Sequence, residues 1–369
     1  MFLAFREIRR APVRFGLLAV AIGLLVFLVL FQQALQNGLQ TAFVGAIRNQ
    51  SSPVIVYGID AQRALQGSVL TPELEQQVLA VDGIADHARI GETTVSTRVG
   101  DEVLEASLIG SDGPLGTPRS LAQGRAAEQQ NEAIGSSVDF AVGDTVAVLT
   151  REGPWEITIV GVADDVQLSV SPTLFTDFAT YEAVVAAINP DATGAPASAL
   201  GLAPADGVTP GELAERINAE VADADAATRD EAADTAPGVA QVSQSFRVIF
   251  ALYALVVPLV SGLFFLIVTL QKTRSLVLLR AIGARAGVLV RALFTQVVGI
   301  TVTGLAIGAA LTLPLDGRQL GGLTLRFDAK ALAAWSAIFL GLAMAGAAAS
   351  LRRVRRVDPI EAVVAAGAT

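Results

Sequence analysis

Four stretches of this chain are apolar and long enough to cross a bilayer, and none has a charged side chain in its middle: Phe15 to about Leu35, Val248–Leu270, Ala292–Leu315 and Ala331–Leu351. A spanning helix needs about 20 apolar residues at ~1.5 Å of rise each. The composition agrees, with 52% hydrophobic residues and a mean hydropathy of +0.55 over 369 residues. Arg6, Arg9, Arg10 and Arg14 precede the first stretch, as they would in a secretory signal peptide. Its apolar run Phe15–Phe31 is longer than a usual signal core, and Gln32–Gln40 offers no small-x-small cleavage site, so it reads as a retained span.

Orientation follows from the cations. Residues 1–15 carry four basic residues, 272–291 five and 352–356 four, together 13 of the 26 in the chain. The positive-inside rule places these segments, and both termini, on the cytoplasmic side of a cell membrane. The segment 48–245 then lies outside, with 9 Arg against 30 Asp and Glu, a balance of −21. The expected order is a basic amphipathic helix over 1–14, a first span with a stalk over 15–47 and an extracytoplasmic domain over 48–245. A second span (246–270), a cytoplasmic loop (271–291) and a third span (292–315) follow. A short outer loop (316–330), a fourth span (331–351) and a cytoplasmic tail (352–369) complete it. After Phe31 a helical stripe of Ala34, Leu35, Leu39, Ala42, Phe43 and Ala46 carries the first helix beyond the lipid.

The fold class is therefore an α-helical membrane protein with four transmembrane helices and an α/β plus β extracytoplasmic domain inserted between helices one and two. Within that domain Val54–Gly58 reads as a strand, and Thr71-Pro72-Glu73 and Thr209-Pro210-Gly211-Glu212 open helices with a threonine cap and proline at the first helical position. Two strands flank a turn at Gly100-Asp101, and a second pair, Asp144–Thr150 and Trp155–Val162, alternates apolar with polar residues. The two Thr-Pro helices bracket the β segment. That bracketing predicts an α/β subdomain of about 50–110 with 197–240, and an inserted β-rich subdomain of about 115–185.

Catalytic chemistry has little to stand on. There is no cysteine, so disulfides and thiolate metal sites are excluded, and His87 is the only histidine, so no His-pair metal site and no ordinary Ser-His arrangement can form. No GxxxxGK[ST] occurs and the only lysines are Lys272 and Lys330, so this chain has no phosphate loop and needs another chain for any nucleotide-driven work. The acidic segment Glu212–Asp234 lacks the spaced loop ligands of a calcium site and reads as a solvated face. We expect no catalytic residue, no metal, no cofactor and no nucleic-acid partner in a chain of net charge −9. Helix-packing signals are clearer: Gly304 with Gly308, and Ala19 with Gly23, place small residues four apart, and Pro258 removes a backbone bond from the second span.

LLRAIGA (278–284) followed by GLAIGAAL resembles the signature of permease subunits of the MacB/FtsX type of ABC transporter. LRRVRRVDPIEAV (351–363) resembles that family's closing motif, NEAIGSSVDFAVGDTVAVLTREGPWEITIVGVADD (131–165) its periplasmic core, and FREIRRAPVRFGLL its opening cytoplasmic helix. FQQALQNGL is similar to DevC-type members, which work with a membrane-fusion adaptor. The resemblance implies that Leu276, Leu279, Arg280, Ala281, Ile282, Gly283 and Ala284 dock a separate cytoplasmic ATPase dimer, which binds ATP and Mg. It likewise marks Arg6, Arg9 and Arg10 in the leading helix and Asp358 and Pro359 in the closing motif. It further implies a permease homodimer and a function in export or extraction of a substrate. The alternatives are an FtsX-like signalling subunit that activates an extracellular cell-wall hydrolase, or a membrane receptor or scaffold without an ATPase. One departure is that Ser275-Leu276-Val277 stands where the family often has a glutamate.

Overall fold

The sixteen residues from Ile84 to Val99, β-branched mainly in their second half (Thr93, Thr94, Val95, Thr97 and Val99), form the longest strand of a computed structural model, and this strand joins the two halves of the sheet domain. The structure describes residues 12–99, 102–191, 194–281, 286–320, 323–327 and 329–355, with the backbone alone for 14, 99, 102, 257–258, 261, 264–281, 286–293, 343 and 346–355. In chain order the elements are α1 (Pro12–Arg48), β1 (Val54–Gly58), α2 (Pro72–Leu79), β2 (Ile84–Val99), β3 (Glu102–Ser111), β4 (Gln123–Gly124), β5 (Glu132–Ser136), β6 (Thr145–Thr150) and β7 (Gly153–Ala163). They continue with β8 (Thr173–Asp177), α3 (Phe178–Ile188), β9 (Ala199–Pro204), α4 (Pro210–Glu220), β10 (Ala224–Thr228), α5 (Arg229–Thr235), α6 (Val239–Ala281), α7 (Ala286–Thr312), β11 (Gln319–Leu320), β12 (Leu323–Thr324) and α8 (Ala329–Arg355). The predicted turn at Gly100-Asp101 lies outside the described residues.

Two compact units emerge: a helical one of residues 12–36, 245–318 and 325–355, and a sheet unit of residues 37–244 and 319–324. In the sheet unit, β10, β1, β9 and β2 lie side by side and antiparallel, with α2 between β1 and β2 and α4 between β9 and β10. This is the β-α-β-β-α-β arrangement of ferredoxin-like folds. Both Thr-Pro helices start as their sequences require. Thr71 Oγ1 accepts from Leu74 N–H at 3.2 Å, and Thr209 and Glu212 form a reciprocal capping box. On one face Leu74 and Val78 of α2 and Leu213 and Ile217 of α4 pack against Val54 and Val56 of β1. The other face, carrying Ile55 and Tyr57, is buried with Val44 and Ile47 at the end of α1 and with Ala232 and Ala233 of α5. The run VIVY is apolar throughout because β1 is covered on both sides.

Beyond β2 the ladder closes on itself. β2 pairs with β3, β3 with β8, β8 with β5, β5 with β7, β7 with β6, and β6 returns to β2 at Thr97 and Arg98. β2 and β3, which the sequence pattern assigns to the α/β part, therefore also complete the ring. The strand does both because its first half pairs with β9 and its far end with β6. Gly91 and Gly110 are direct partners across β2 and β3, and the Tyr181 ring of α3 lies against both, so that an added Cβ at either position would overlap it. The missing side chains are the slot for that ring.

In the helical unit, the buried stripe of α1 is Phe15, Ala19, Ile22, Val26 and Leu30, while Val13, Leu17, Val20, Leu24 and Leu28 are exposed. Among the described residues three helices are long and apolar enough to cross a membrane, within Phe15–Arg48, Val239–Val256 and Phe294–Leu315; a further apolar stretch, Ala329–Leu342 in α8, is shorter. α1 has 37 residues and α6 has 43, about 55 and 65 Å of helix at ~1.5 Å per residue, against a hydrocarbon core of ~30 Å. Both extend well past the lipid.

Replacing Gly91 by Val should destabilise the sheet unit by about 1–3 kcal/mol or more, because the new side chain meets the Tyr181 ring at Cε1 and Cζ. Thermal unfolding of the full-length chain reads this, and adding Tyr181→Ala should recover part of the loss; no recovery would mean that the slot is not what the glycine provides. Glu92 of β2 is 7% exposed, with Gln66 Nε2 donating to it at 3.4 Å. Burial pushes its carboxyl up from 4.5 to about 7, against which the Gln66 and Ser107 hydrogen bonds pull down. Between those two pH values the fold keeps a proton that the unfolded chain releases, so stability falls as pH rises through that window. Glu92→Gln should flatten this slope and stabilise the protein at mildly alkaline pH by on the order of 2–3 kcal/mol. An unchanged slope would assign the pH dependence to other groups.

Candidate functional site at the joint of the first helix and the sheet

The helical lattice of α1 breaks at Val44, whose φ of −134° and ψ of 15° are not helical. In an unbroken helix the Ala46 amide would bond to the Ala42 carbonyl. Here Ala46 N–H donates to Gln167 O at 2.9 Å, and the freed carbonyls of Ala42 and Phe43 accept from Val170 N–H at 2.8 Å and Ser169 N–H at 2.9 Å. Val44 and Leu168 pair as an antiparallel bridge. The helix then resumes, with Asn49 N–H donating to Gly45 O at 2.9 Å. The loop after β7 has thus been spliced into the helix. The Ala46 amide and the Ala42 and Phe43 carbonyls each find a backbone partner in that loop.

Gly45 makes the splice sterically feasible, since a Cβ there would overlap the Asp165 carbonyl. Asn49 Nδ2 donates to that same carbonyl at 2.7 Å. The loop is held from its own side: Gln167 Nε2 donates to Asp139 at 2.9 Å, and Leu168 N–H to Thr173 Oγ1 at 2.9 Å. It is also strained, with Asp165, Ser169 and Val170 at φ of 59°, 54° and 61°. A β-branched residue in the left-handed region is a true outlier, and such positions persist only where the surroundings over-determine them.

The chain leaves the sheet beside this splice. After β10, α5 leads through Pro237 to Gly238, whose φ of +87° turns the chain into α6 and whose position a Cβ would share closely with the Phe43 ring. Arg48 meets Asp234 at 2.5 Å, and Gln40 Nε2 donates to Ser243 Oγ at 3.0 Å. Arg63 clamps the underside, with Nε and Nη2 both 2.9 Å from the Asp225 carboxylate and Nη1 bonded to Glu231 and Thr235. The Asp225 hydrogen bonds hold the guanidinium above its ordinary pKa, and burial pushes the Tyr57 hydroxyl above its own. A cavity of about 110 Å³ remains between Phe43, Val44, Leu65, Leu168 and Pro237. Among the described residues no group of His, Cys, Asp and Glu is placed to hold a metal. The arrangement is a mechanical joint: the ends of two long helices, tied to one face of one sheet.

The packing residues named from sequence are placed as follows. A Cβ built at Gly304 would lie 2.6 Å from Ile22 Cγ2 and 3.0 Å from Ala19 O. One at Gly308 would lie 2.7 Å from Val26 Cγ1 and 2.9 Å from Gly23 O, and one at Gly23 would lie 3.1 Å from Gly304 O. Ala19, Gly23, Gly304 and Gly308 are thus brought together where α1 and α7 approach backbone to backbone. α6 runs as one helix through Pro258. Leu276, Leu279, Arg280 and Ala281 occupy its last turns, and α7 starts at Ala286, so most of the segment expected as a loop is helical backbone. Its composition explains this, because no glycine or proline occurs between Gly262 and Gly283. Ile282, Gly283, Ala284, Arg6, Arg9, Arg10, Asp358 and Pro359 lie outside the described residues. Sequence reasoning missed the joint itself, for which Gly45 inside an otherwise helical stripe and the pair Pro237-Gly238 were the available signals.

No protein-family model matches the chain. A curated protein described as "Putative hemin transport system permease protein HrtB", from Staphylococcus haemolyticus, is 23% identical over 374 residues, covering 98% of this chain and 99% of that one. Among solved structures, the periplasmic region of MacB from Actinobacillus actinomycetemcomitans covers 50% of this chain and 92% of its own length, with a TM-score of 0.35 and 15% identity. The extracellular domain of the ABC-type transporter YknZ from Gram-positive bacteria covers 47% of this chain and 99% of its own, with a TM-score of 0.31 and 13% identity. The chain is thus similar over nearly its whole length to a putative transport-system permease, and its motifs at 131–165, 278–284 and 351–363 resemble those of ABC transporter permeases of the MacB/FtsX type.

Proposed function

We propose that this chain is the membrane-spanning subunit that passes the work of a separate cytoplasmic ATPase dimer to its own extracytoplasmic sheet domain, in order to export or extract a substrate. The observation that carries the reading is the splice at Ala42–Ala46, which joins the first helix to the sheet by backbone hydrogen bonds. In this reading the chain crosses the cell membrane four times with both termini in the cytoplasm, as its cations favour, and works as a homodimer. The segment Leu276–Ala284 receives the ATPase, with Arg280 as the main polar contact, and ATP and Mg bind to the partner. α1 and α6 then act as rods, because their internal hydrogen bonds resist stretching and lipid penalises breaking them. A membrane-fusion adaptor suits the export form. The full-length relative is named for transport, which favours transport over activation of a wall hydrolase, and hemin is accordingly the first substrate to try.

The test is reconstitution with the ATPase that copurifies from native membranes. Arg280→Ala and Gly283→Leu should weaken ATPase association and stimulated hydrolysis, whereas Gly45→Leu should leave both in place and lower ATP-driven transport at least about tenfold, a coupling loss of ~1.4 kcal/mol. If no ATPase copurifies, or if the first two substitutions leave association and hydrolysis unchanged, the coupling role is wrong. A copurifying hydrolase whose activity follows ATP would replace transport with signalling.

A further inference from the structure

A cavity in the helical unit has no part in the force transmission proposed above. It measures about 340 Å³, at the lower end of the ~300–1,000 Å³ of small-molecule pockets. Its walls are Leu30 of α1, Ala306, Ala310 and Leu313 at the end of α7, and Phe327 and Leu332 around the start of α8. The polar groups in the lining are engaged with the protein, since the Thr312 hydroxyl donates to Ala309 O at 2.7 Å and Asp316 Oδ1 accepts from Phe327 N–H at 3.1 Å. Leu313 is 76% exposed, which suits a side chain in contact with lipid and no other. The cavity lies where the apolar helix α7 gives way to the 316–330 loop.

The charge of that loop is the second observation. It holds Arg318, Arg326 and Lys330 against Asp316 and Asp328, a net +1, in a chain whose segment 48–245 stands at −21. Arg318, Arg326 and Lys330 are exposed, and Phe327 and Ala329, which line the cavity, lie next to Arg326 and Lys330 in the chain. Backbone bonds between Gly317 and Leu325 and between Arg318 and Leu325 hold the two sides of the loop together and bring Arg318 beside Arg326, while Lys330 follows the cavity-lining Ala329 at the start of α8. An apolar cavity under a cationic rim matches a molecule with an aliphatic tail and a phosphate next to it.

We propose that this cavity is a binding site for one glycerophospholipid, with an acyl chain between α1, α7 and α8 and the phosphate on the rim of Arg318, Arg326 and Lys330. The site requires only that the chain lie in a membrane and is independent of any ATPase. The test uses the full-length chain in phosphatidylcholine vesicles carrying a trace of phosphatidylglycerol with a photoactivatable group in its tail, followed by mapping of the adducts. Adducts should concentrate on residues 306–313 and 327–332 over the lipid-exposed controls Leu252, Leu255 and Leu259. Ala306→Phe with Ala310→Phe should remove them there and leave the controls labelled. Arg318→Gln, Arg326→Gln and Lys330→Gln, all at exposed positions, should each lower the cavity signal about fivefold. A photoactivatable diacylglycerol with the same tails should label the cavity no more than the controls. Labelling no denser at the cavity than at the controls, labelling that survives filling, or equal labelling by diacylglycerol overturns the proposal.

Discussion

The hand-over of hydrogen bonds between Ala42 and Ala46 is the constraint on which the sheet unit depends. A helix in lipid keeps its backbone bonds internal, because nothing around it can replace them. A helix that enters a folded domain must give some of them up, and each orphaned group costs ~1–3 kcal/mol if left buried and unpaired. Here three backbone groups of the helix meet three of the loop. The loop from Asp165 to Val170 supplies donors to Ala42 and Phe43 and takes the Ala46 amide in return. The left-handed residues in that loop are the cost of aiming its amides at the helix.

Around the splice, side chains add direction more than strength. Arg48 and Asp234 are exposed by 37% and 70%, and exposed ion pairs of this kind are worth ~0–1 kcal/mol. Arg63 is different, because its fork engages Asp225 with two parallel bonds while both partners are largely shielded, and a bidentate pair fixes geometry as well as charge. It sets the position of α5 through Glu231 and Thr235, and so the point at which α6 begins. The exit of the chain is thereby fixed by a side-chain clamp and the arrival of α1 by backbone.

What was legible in the sequence divides along the same line. Apolar length and charge asymmetry pointed to the membrane class, and the Thr-Pro caps located both helices of the ferredoxin-like part, because a cap is a local device written in consecutive residues. Ala19, Gly23, Gly304 and Gly308 could be named as packing positions since small residues four apart are visible without knowing the partner. The ring of strands was not legible. Its closure depends on Thr97 and Arg98 finding β6 across the fold, and nothing in the alternation of β2 announces two different neighbours. The splice was hidden for a stronger reason: amides and carbonyls are the same in every residue, so a joint made from them leaves a mark only where a side chain would obstruct it, at Gly45.

That consequence bears on how such a joint tolerates change. A contact made by side chains is lost when either partner is replaced, whereas the bonds at Ala42, Phe43 and Ala46 survive any substitution that keeps the backbone in place. The positions under constraint are then few: a glycine facing the Asp165 carbonyl, an amide side chain at Asn49 to occupy that carbonyl, and Gln167 and Thr173 to hold the loop in its strained form. Force applied along α1 would load several backbone bonds in parallel with the Val44–Leu168 bridge, none of which depends on charge. A transmission built in this way keeps its stiffness across changes of salt and pH that would soften one built from the ion pairs beside it.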